Sequence, residues 1–230
     1  MTCRNDNART TEVSYLRPDI KYGPNEVERD FMARTRAVDF DEKRRGLLDS
    51  AAAVFAEQGM EKASMAQIAA HGQVSKALLY HYYPSKGELI YEIIITHLEE
   101  VDEAIAADDD PSLPPQQRLR KLVGTVLDAY KGADNQHKVQ LNATSALTDE
   151  QKADILAVEK RIVRQFAAVL RLISPDLDRP ERPLLMPVTM SLFGMMNWVY
   201  MWFRDGGRIS REDYADVATT LILEGIKAVR

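Results

Sequence analysis

The chain has 230 residues, 45% hydrophobic and 28% charged, with a formal net charge of −5. These proportions exclude bulk disorder and suffice for one large or two small cores; the negative balance speaks against indiscriminate nucleic-acid binding, though not against one basic face. Cys3 is the single cysteine, which excludes an intrachain disulfide and a cysteine zinc site and gives a reducing, cytoplasmic location as the expectation.

Residues 1–39 show no sustained periodicity and include Pro18, Gly23 and Pro24, so a disordered extension is expected there. They lack the apolar core of a signal peptide, and MARTRAVDFDEKRR from Met32 reads as a natural beginning. Over residues 40–58, Leu47, Leu48, Ala51, Ala52 and Phe55 recur at helical spacing, and Gly59 supplies the left-handed residue that ends a helix. Ser64 and Gln67 have the Ser-x-x-Gln spacing of a capping box, opening a helix that Gly72 cuts short. A second short helix is predicted over 74–81, capped by Ser75 and stopped by Pro84. A long apolar run follows through Leu89, Ile90, Ile93, Ile94 and Leu98.

Beyond Pro111, Pro114 and Pro115, one helix is marked by Leu119, Leu122, Val123, Val126 and Leu127, with a weaker one over 137–147. Ile155, Val158, Ile162, Phe166, Val169 and Leu170 make a long amphipathic helix stopped by Pro175. Another spans 182–204, and Tyr214, Val217, Leu221, Ile222 and Ile226 define the last. No alternating run is convincing. The fold class is therefore all-α with about nine helices, a small helical unit over 40–90 and a larger helical domain over 91–230.

Two short helices around a glycine turn, with a small residue at their crossing, are the signature of a helix-turn-helix. Ile68, Ala69, Val74, Leu78 and Leu79 are expected as its shared core. The remaining face offers Ser75, Lys76, Ala77, Tyr80 and His81, donors and small side chains that enter a major groove without steric penalty. From Lys62 to Lys86 the chain carries Lys62, Lys76, Lys86, His71 and His81 and no Asp or Glu, so a positive field, if local, belongs here.

The segment SMAQIAAHGQVSKALLYHYYPSKGELI, preceded by FAEQG at residues 55–59, resembles the TetR/AcrR family of bacterial regulators. The matching features are Ile68-Ala69, Val74-Ser75-Lys76, Leu79-Tyr80, Tyr82-Tyr83, and Ser85-Lys86 before Leu89. The resemblance implies a homodimeric, ligand-responsive transcriptional regulator, most simply a repressor, whose partners are a double-stranded DNA operator and a small-molecule effector. It places Lys76, Ala77, Leu78 and His81 on bases and Tyr80, Tyr82 and Lys86 on phosphates, with Ser64, Ala66 and Ser75 on the same surface. Ala66, Ala77 and Leu78 are weak hydrogen-bonders, so apolar contact with thymine methyls is expected in the readout. The turn His71-Gly72-Gln73-Val74 departs from the family, which has its glycine directly before the valine. Arg34 and Arg36, beside the first helix, leave a DNA-touching arm as the alternative to a solvated tail.

No catalytic, metal or cofactor site is expected. The chain has no His-Glu-x-x-His helix, no phosphate-cradling glycine loop and no Gly-x-Ser-x-Gly turn, and His71, His81, His97 and His137 are scattered. A helical protein-interaction module without DNA binding is the alternative from another class; it leaves residues 64–86 unexplained.

Residues 184–203 form an uncharged run of 20, long enough for a bilayer. Pro187, Thr189, Ser191, Gly194 and Asn197 within it favour a helix buried on two sides over a membrane span. The family resemblance supplies both sides, the core and a second subunit, with Val217, Leu221 and Ile222 of the last helix at the seam. Gly194-Met195-Met196-Asn197-Trp198, followed by Tyr200, Trp202, Phe203 and Arg204, resembles the C-terminal segment of family members that bind acyl-CoA thioesters. That implies an acyl-CoA effector. Tyr130, Gln140, Asn197 and Trp198 are the candidate pocket residues, and Arg161 and Arg164 the candidate phosphate partners. A Met- and Trp-rich stripe that only packs core and dimer is the alternative, as is a different hydrophobic effector of an efflux or other operon.

Overall fold

The computed structural model describes residues 26–143 and 146–229, with the backbone alone for 26–39 and Asp41. The expected disorder of residues 1–25 and the side chains of Arg34 and Arg36 lie outside the described residues. The chain divides into two compact units, Met1–Asp41 and Glu42–Arg230. In the first, the described part is helical backbone, because α1 spans Glu26–Gln58. This helix starts before the apolar stripe that marks it in the sequence. Residues 26–39 contain no proline or glycine and are rich in Glu, Arg and Ala, residues that favour helix without any apolar face.

In the second unit α1 stops where expected: Gly59 adopts φ +82 and its N–H returns to the Phe55 carbonyl at 2.9 Å. Then follow α2 (Met65–His71), α3 (Lys76–Tyr82), α4 (Lys86–Asp108), α5 (Pro115–Ala129), α6 (Asp134–Asn142) and α7 (Asp149–Ile173). A short antiparallel ribbon, β1 (Asp178–Arg179) with β2 (Arg182–Pro183), leads into α8 (Leu185–Asn197), the one-turn α9 (Val199–Trp202) and α10 (Arg211–Ala228). Counting α9 as the continuation of α8, the described residues hold nine helices, and the fold is all-α. The run expected as one helix over 182–204 is split, since Pro183 lies in β2 and Trp198 caps α8. Among the described residues no helix is long and apolar enough to cross a membrane.

α4 is the axis of the unit. Leu89, Ile90, Ile93, Ile94, Leu98, Val101 and Ile105 are buried along it, and it packs on α5, α6 and α7. Its first turn is tied to that of α7, where Gln151 Nε2 donates to Glu88 Oε1 at 3.0 Å. α7 is opened by a second capping box, Thr148 with Gln151. α10 covers α5 and α8 with Ala215, Ala218, Thr219, Ile222 and Ile226. Ile222, expected outward with Val217 and Leu221, is therefore part of the core (8% exposed); the other two remain open to solvent.

Candidate DNA-reading face and effector cavity

The caps that open α2 and α3 are those the sequence predicts. Ser64 Oγ accepts from the Gln67 N–H at 3.3 Å while Gln67 Oε1 accepts from the Ser64 N–H at 2.9 Å. Gln67 also donates to Gln58 Oε1 at 2.8 Å, fastening α2 to the end of α1. Ser75 Oγ accepts from the Leu78 N–H at 3.1 Å. Ile68, Ala69 and Leu79 are buried and Val74 packs against them, but Leu78 is not in that core. It is 38% exposed and stands on the outer face with Ser75, Lys76, Ala77, Tyr80 and His81. Ser64 and Ala66 are exposed at the start of α2, and Tyr82 is half-buried with the His81 ring edge-on at 5.6 Å.

The departure in the turn has a physical reason. Gly72 has an ordinary φ of −77, and it is Gln73 that takes the left-handed conformation at φ +54. A Cβ on Gly72 would lie 3.3 Å from Ser50 Oγ of α1. Glycine is thus kept where α1 comes close, and glutamine carries the left-handed turn at a cost of roughly 1–2 kcal/mol.

Lys86, expected on a DNA phosphate, is placed elsewhere. Its ammonium donates to the carbonyls of Met60 at 2.6 Å and of Glu61 and Ala63 at 3.3 Å, closing the loop between α1 and α2 from the first residue of α4. Lys86→Ala is accordingly expected to lower the unfolding free energy by about 2 kcal/mol. The salt slope of DNA binding by the folded fraction should stay unchanged, whereas loss of a phosphate contact lowers that slope by about 1. Urea unfolding and a salt series of binding isotherms measure the two quantities.

The second site is a cavity of about 280 Å³ between α4, α5, α6, α7 and α8. Three of the sequence candidates meet there: Tyr130, the residue that ends α5, Gln140 from α6 and Asn197 from the end of α8. Leu98, Val101, Ile162, Val163 and Phe193 supply apolar wall, and Leu156, Lys160, Met186 and Met190 form an exposed rim. Tyr130 donates to Asn197 Oδ1 at 3.0 Å, and Gln140 Nε2 donates to Glu159 Oε1 at 3.1 Å. Burial, and then the Glu159 charge, push the Tyr130 phenol well above its ordinary range, so it remains a donor. Behind it the His137 ring lies 4.5 Å away between centroids, and the His97 ring 5.7 Å away.

The other candidates fall outside this cavity. Arg161 Nε donates to Asp102 Oδ2 at 2.7 Å on the outside of α7, Arg164 is exposed, and Trp198 is 58% exposed; none lines the cavity. Glu159 and Lys160 were missed. Their spacing with Leu156 and Val163 puts all four on one helical face, a signal that the arginines on the neighbouring face obscured.

A helix-turn-helix whose outer face is free, joined by α4 to a helical domain with an apolar cavity, defines a DNA-binding transcriptional regulator rather than an enzyme. Residues 47–93 match the family model of bacterial regulatory proteins of the tetR family, and residues 112–226 match the tetracyclin repressor-like C-terminal domain. The chain belongs to the tetR family. It is 22% identical over 195 residues to the transcriptional repressor KstR2 of Mycolicibacterium smegmatis, covering 80% of this chain and 90% of that one. A TetR-family regulator from Bordetella parapertussis superposes with a TM-score of 0.73 at 29% identity, over 81% of this chain and 97% of that one. AibR, solved in complex with isovaleryl coenzyme A and operator DNA, superposes with a TM-score of 0.66 at 28% identity, over 78% and 97%.

Proposed function

We propose that this ligand-responsive regulator is a homodimeric repressor released from a palindromic operator by an acyl-CoA thioester. The observation that carries the reading is the cavity itself, an apolar chamber with a few placed polar groups, which is how small-molecule sites are built. At about 280 Å³ it suits an acyl chain and leaves the coenzyme's nucleotide outside. Lys160 on the rim takes the part first given to Arg161 and Arg164, a cation for the phosphates. Glu159 in the wall disfavours a free carboxylic acid. The likeness to AibR, whose solved complex holds isovaleryl coenzyme A and operator DNA, supports the same class, and the likeness to KstR2 supports repression.

α4 supplies the link between the two sites. Leu98 and Val101 line the cavity, and Lys86 at the head of the same helix holds the loop between α1 and α2. A dimer that reads two half-sites must keep its α3 helices about 34–36 Å apart. An effector need only prefer a differently spaced state by typically ~1–3 kcal/mol to weaken operator binding.

The direct test is a gel shift of the operator complex against isovaleryl- and hexanoyl-CoA and the matching free acids. Release by the thioesters at concentrations where the acids leave the complex intact is the expected result. Release by the acids, or by cationic drugs alone, overturns the effector class. Lys76→Ala is expected to change sequence preference, with roughly 1–3 kcal/mol lost at the base pair it reads. Binding to a panel of operator variants checks this, and an equal loss at every site would remove Lys76 from base reading.

A further inference from the structure

Gln73 holds a conformation that its own surroundings do not reward. Among the described residues it is the one non-glycine at positive φ, +54. In this left-handed region Cβ crowds the following carbonyl, and only glycine, or at times asparagine and aspartate, visits it routinely. The turn needs that backbone: the Gln73 N–H reaches the Ala70 carbonyl at 3.2 Å, and the Val74 N–H the Ala69 carbonyl at 2.9 Å. Glycine at residue 73 would make both bonds without strain. The glutamine side chain brings no compensation within the subunit, since it is exposed and its amide is unpartnered among the described residues. Backbone strain of this kind clusters at ligand clamps and switch regions.

The setting of Gln73 points to an anion. It lines a groove of about 410 Å³ between α1 and the turn, together with Lys43, Leu47, Ser50, His71 and Leu78. The polar side chains among these are an ammonium, a hydroxyl, an imidazole and an amide, all able to donate, and no Asp or Glu lines the groove. Leu78 closes it on the side of α3 and stands on the same outer face as Lys76. A duplex seated on that face runs its backbone past the groove. We propose, resting on α3 as the DNA reader, that the Gln73 amide donates to a backbone phosphate at the edge of the major groove that α3 enters. The strained turn is kept because it aims this amide outward. The contact fixes the register of α3 on the duplex without reading sequence.

Fluorescence anisotropy of the full chain, with a duplex it selects from a random pool and a scrambled duplex of the same length, tests this. Gln73→Gly should raise the urea midpoint of unfolding and yet bind both duplexes about threefold to tenfold more weakly. Gln73→Ala keeps a left-handed Cβ and loses only the amide, so it should weaken binding by a similar factor. A neutral amide releases no counterion, so the salt slope stays unchanged in both variants, whereas Gln73→Lys should steepen it by about 1. A turn that serves the fold alone predicts that the glycine variant is firmer and binds undiminished. Binding by the alanine variant equal to that of the unaltered chain overturns the proposal. A loss confined to the selected duplex, or a lysine variant with an unaltered slope, overturns it too. Lys76→Ala, measured beside them, tests the reading beneath. If it changes sequence preference while Gln73 variants change nothing, the proposal alone fails; if neither residue matters, the placing of α3 on DNA fails with it.

Discussion

Leu221→Glu is expected to convert the protein to monomers and to abolish operator binding in the same step. α10 has two faces of different fate. Ala218, Thr219, Ile222 and Ile226 are buried against the subunit's own core, whereas Val217 is 50% and Leu221 60% exposed, one turn apart. Trp198, Met201 and Trp202 add exposed apolar surface after α8, more than single scattered residues require. In a two-fold interface each substitution appears twice. A buried carboxylate without a partner costs about 3 kcal/mol or more, so dimerisation should weaken by more than about a hundredfold. The subunit's fold should be unaffected, because Leu221 makes no part of its core. Sedimentation should then give the 26.0 kDa subunit, with an unchanged unfolding midpoint and no retarded operator band. A dimer that persists, or a monomer that still binds the full operator tightly, contradicts the seam on α10.

The second large effect is a loss of stability in mild acid carried by His97. The side chain is 3% exposed, its Nε2 has no hydrogen-bond partner, and its ring lies 6.0 Å from that of His137. Burial, and then the neighbouring histidine, lower its pKa to about 4 from an ordinary 6.5. Burial lowers His137 as well. Between these values the unfolded chain binds a proton that the folded chain refuses, so stability rises with pH across the window. It is fully present above about pH 6.5 and falls progressively toward pH 4, by about 3 kcal/mol for His97 alone. His97→Leu removes this dependence. The difference in unfolding free energy between the two proteins, followed by urea titration from pH 7 to pH 4, should shift by that amount in favour of the variant at the acid end. Parallel curves for the two proteins would show that His97 is not excluded from protonation.

The features legible in the sequence are those that depend on near neighbours. Ser64 with Gln67, and Ser75 before α3, are caps whose partners lie three residues away. Gly59 ends α1 through its own backbone freedom, and the apolar periodicity of α4 and α7 requires only the pitch of a helix. Tyr130, Gln140 and Asn197, named from the sequence as candidate polar groups for an apolar pocket, line one cavity, but no local spacing joins them. Where the stripe is absent the signal is too, which is why the early start of α1 at Glu26 went unread.

What only the tertiary structure decided is where long charged side chains find partners. Lys86 looks like a phosphate ligand in a basic window, yet it serves carbonyls 23 to 26 residues back along the chain. Arg161 looks like a phosphate ligand on a helix face, yet it pairs with Asp102, 59 residues away. Glu159 and Lys160, two and one residues before it, are the charges that reach the cavity. On a helix one residue is a turn of about 100°, so the face that meets the ligand is set by how α7 rolls against α4 and α8. Helical periodicity and caps, being local, are written in the sequence; that roll is a property of the packed core, and the chemistry of the cavity follows from it.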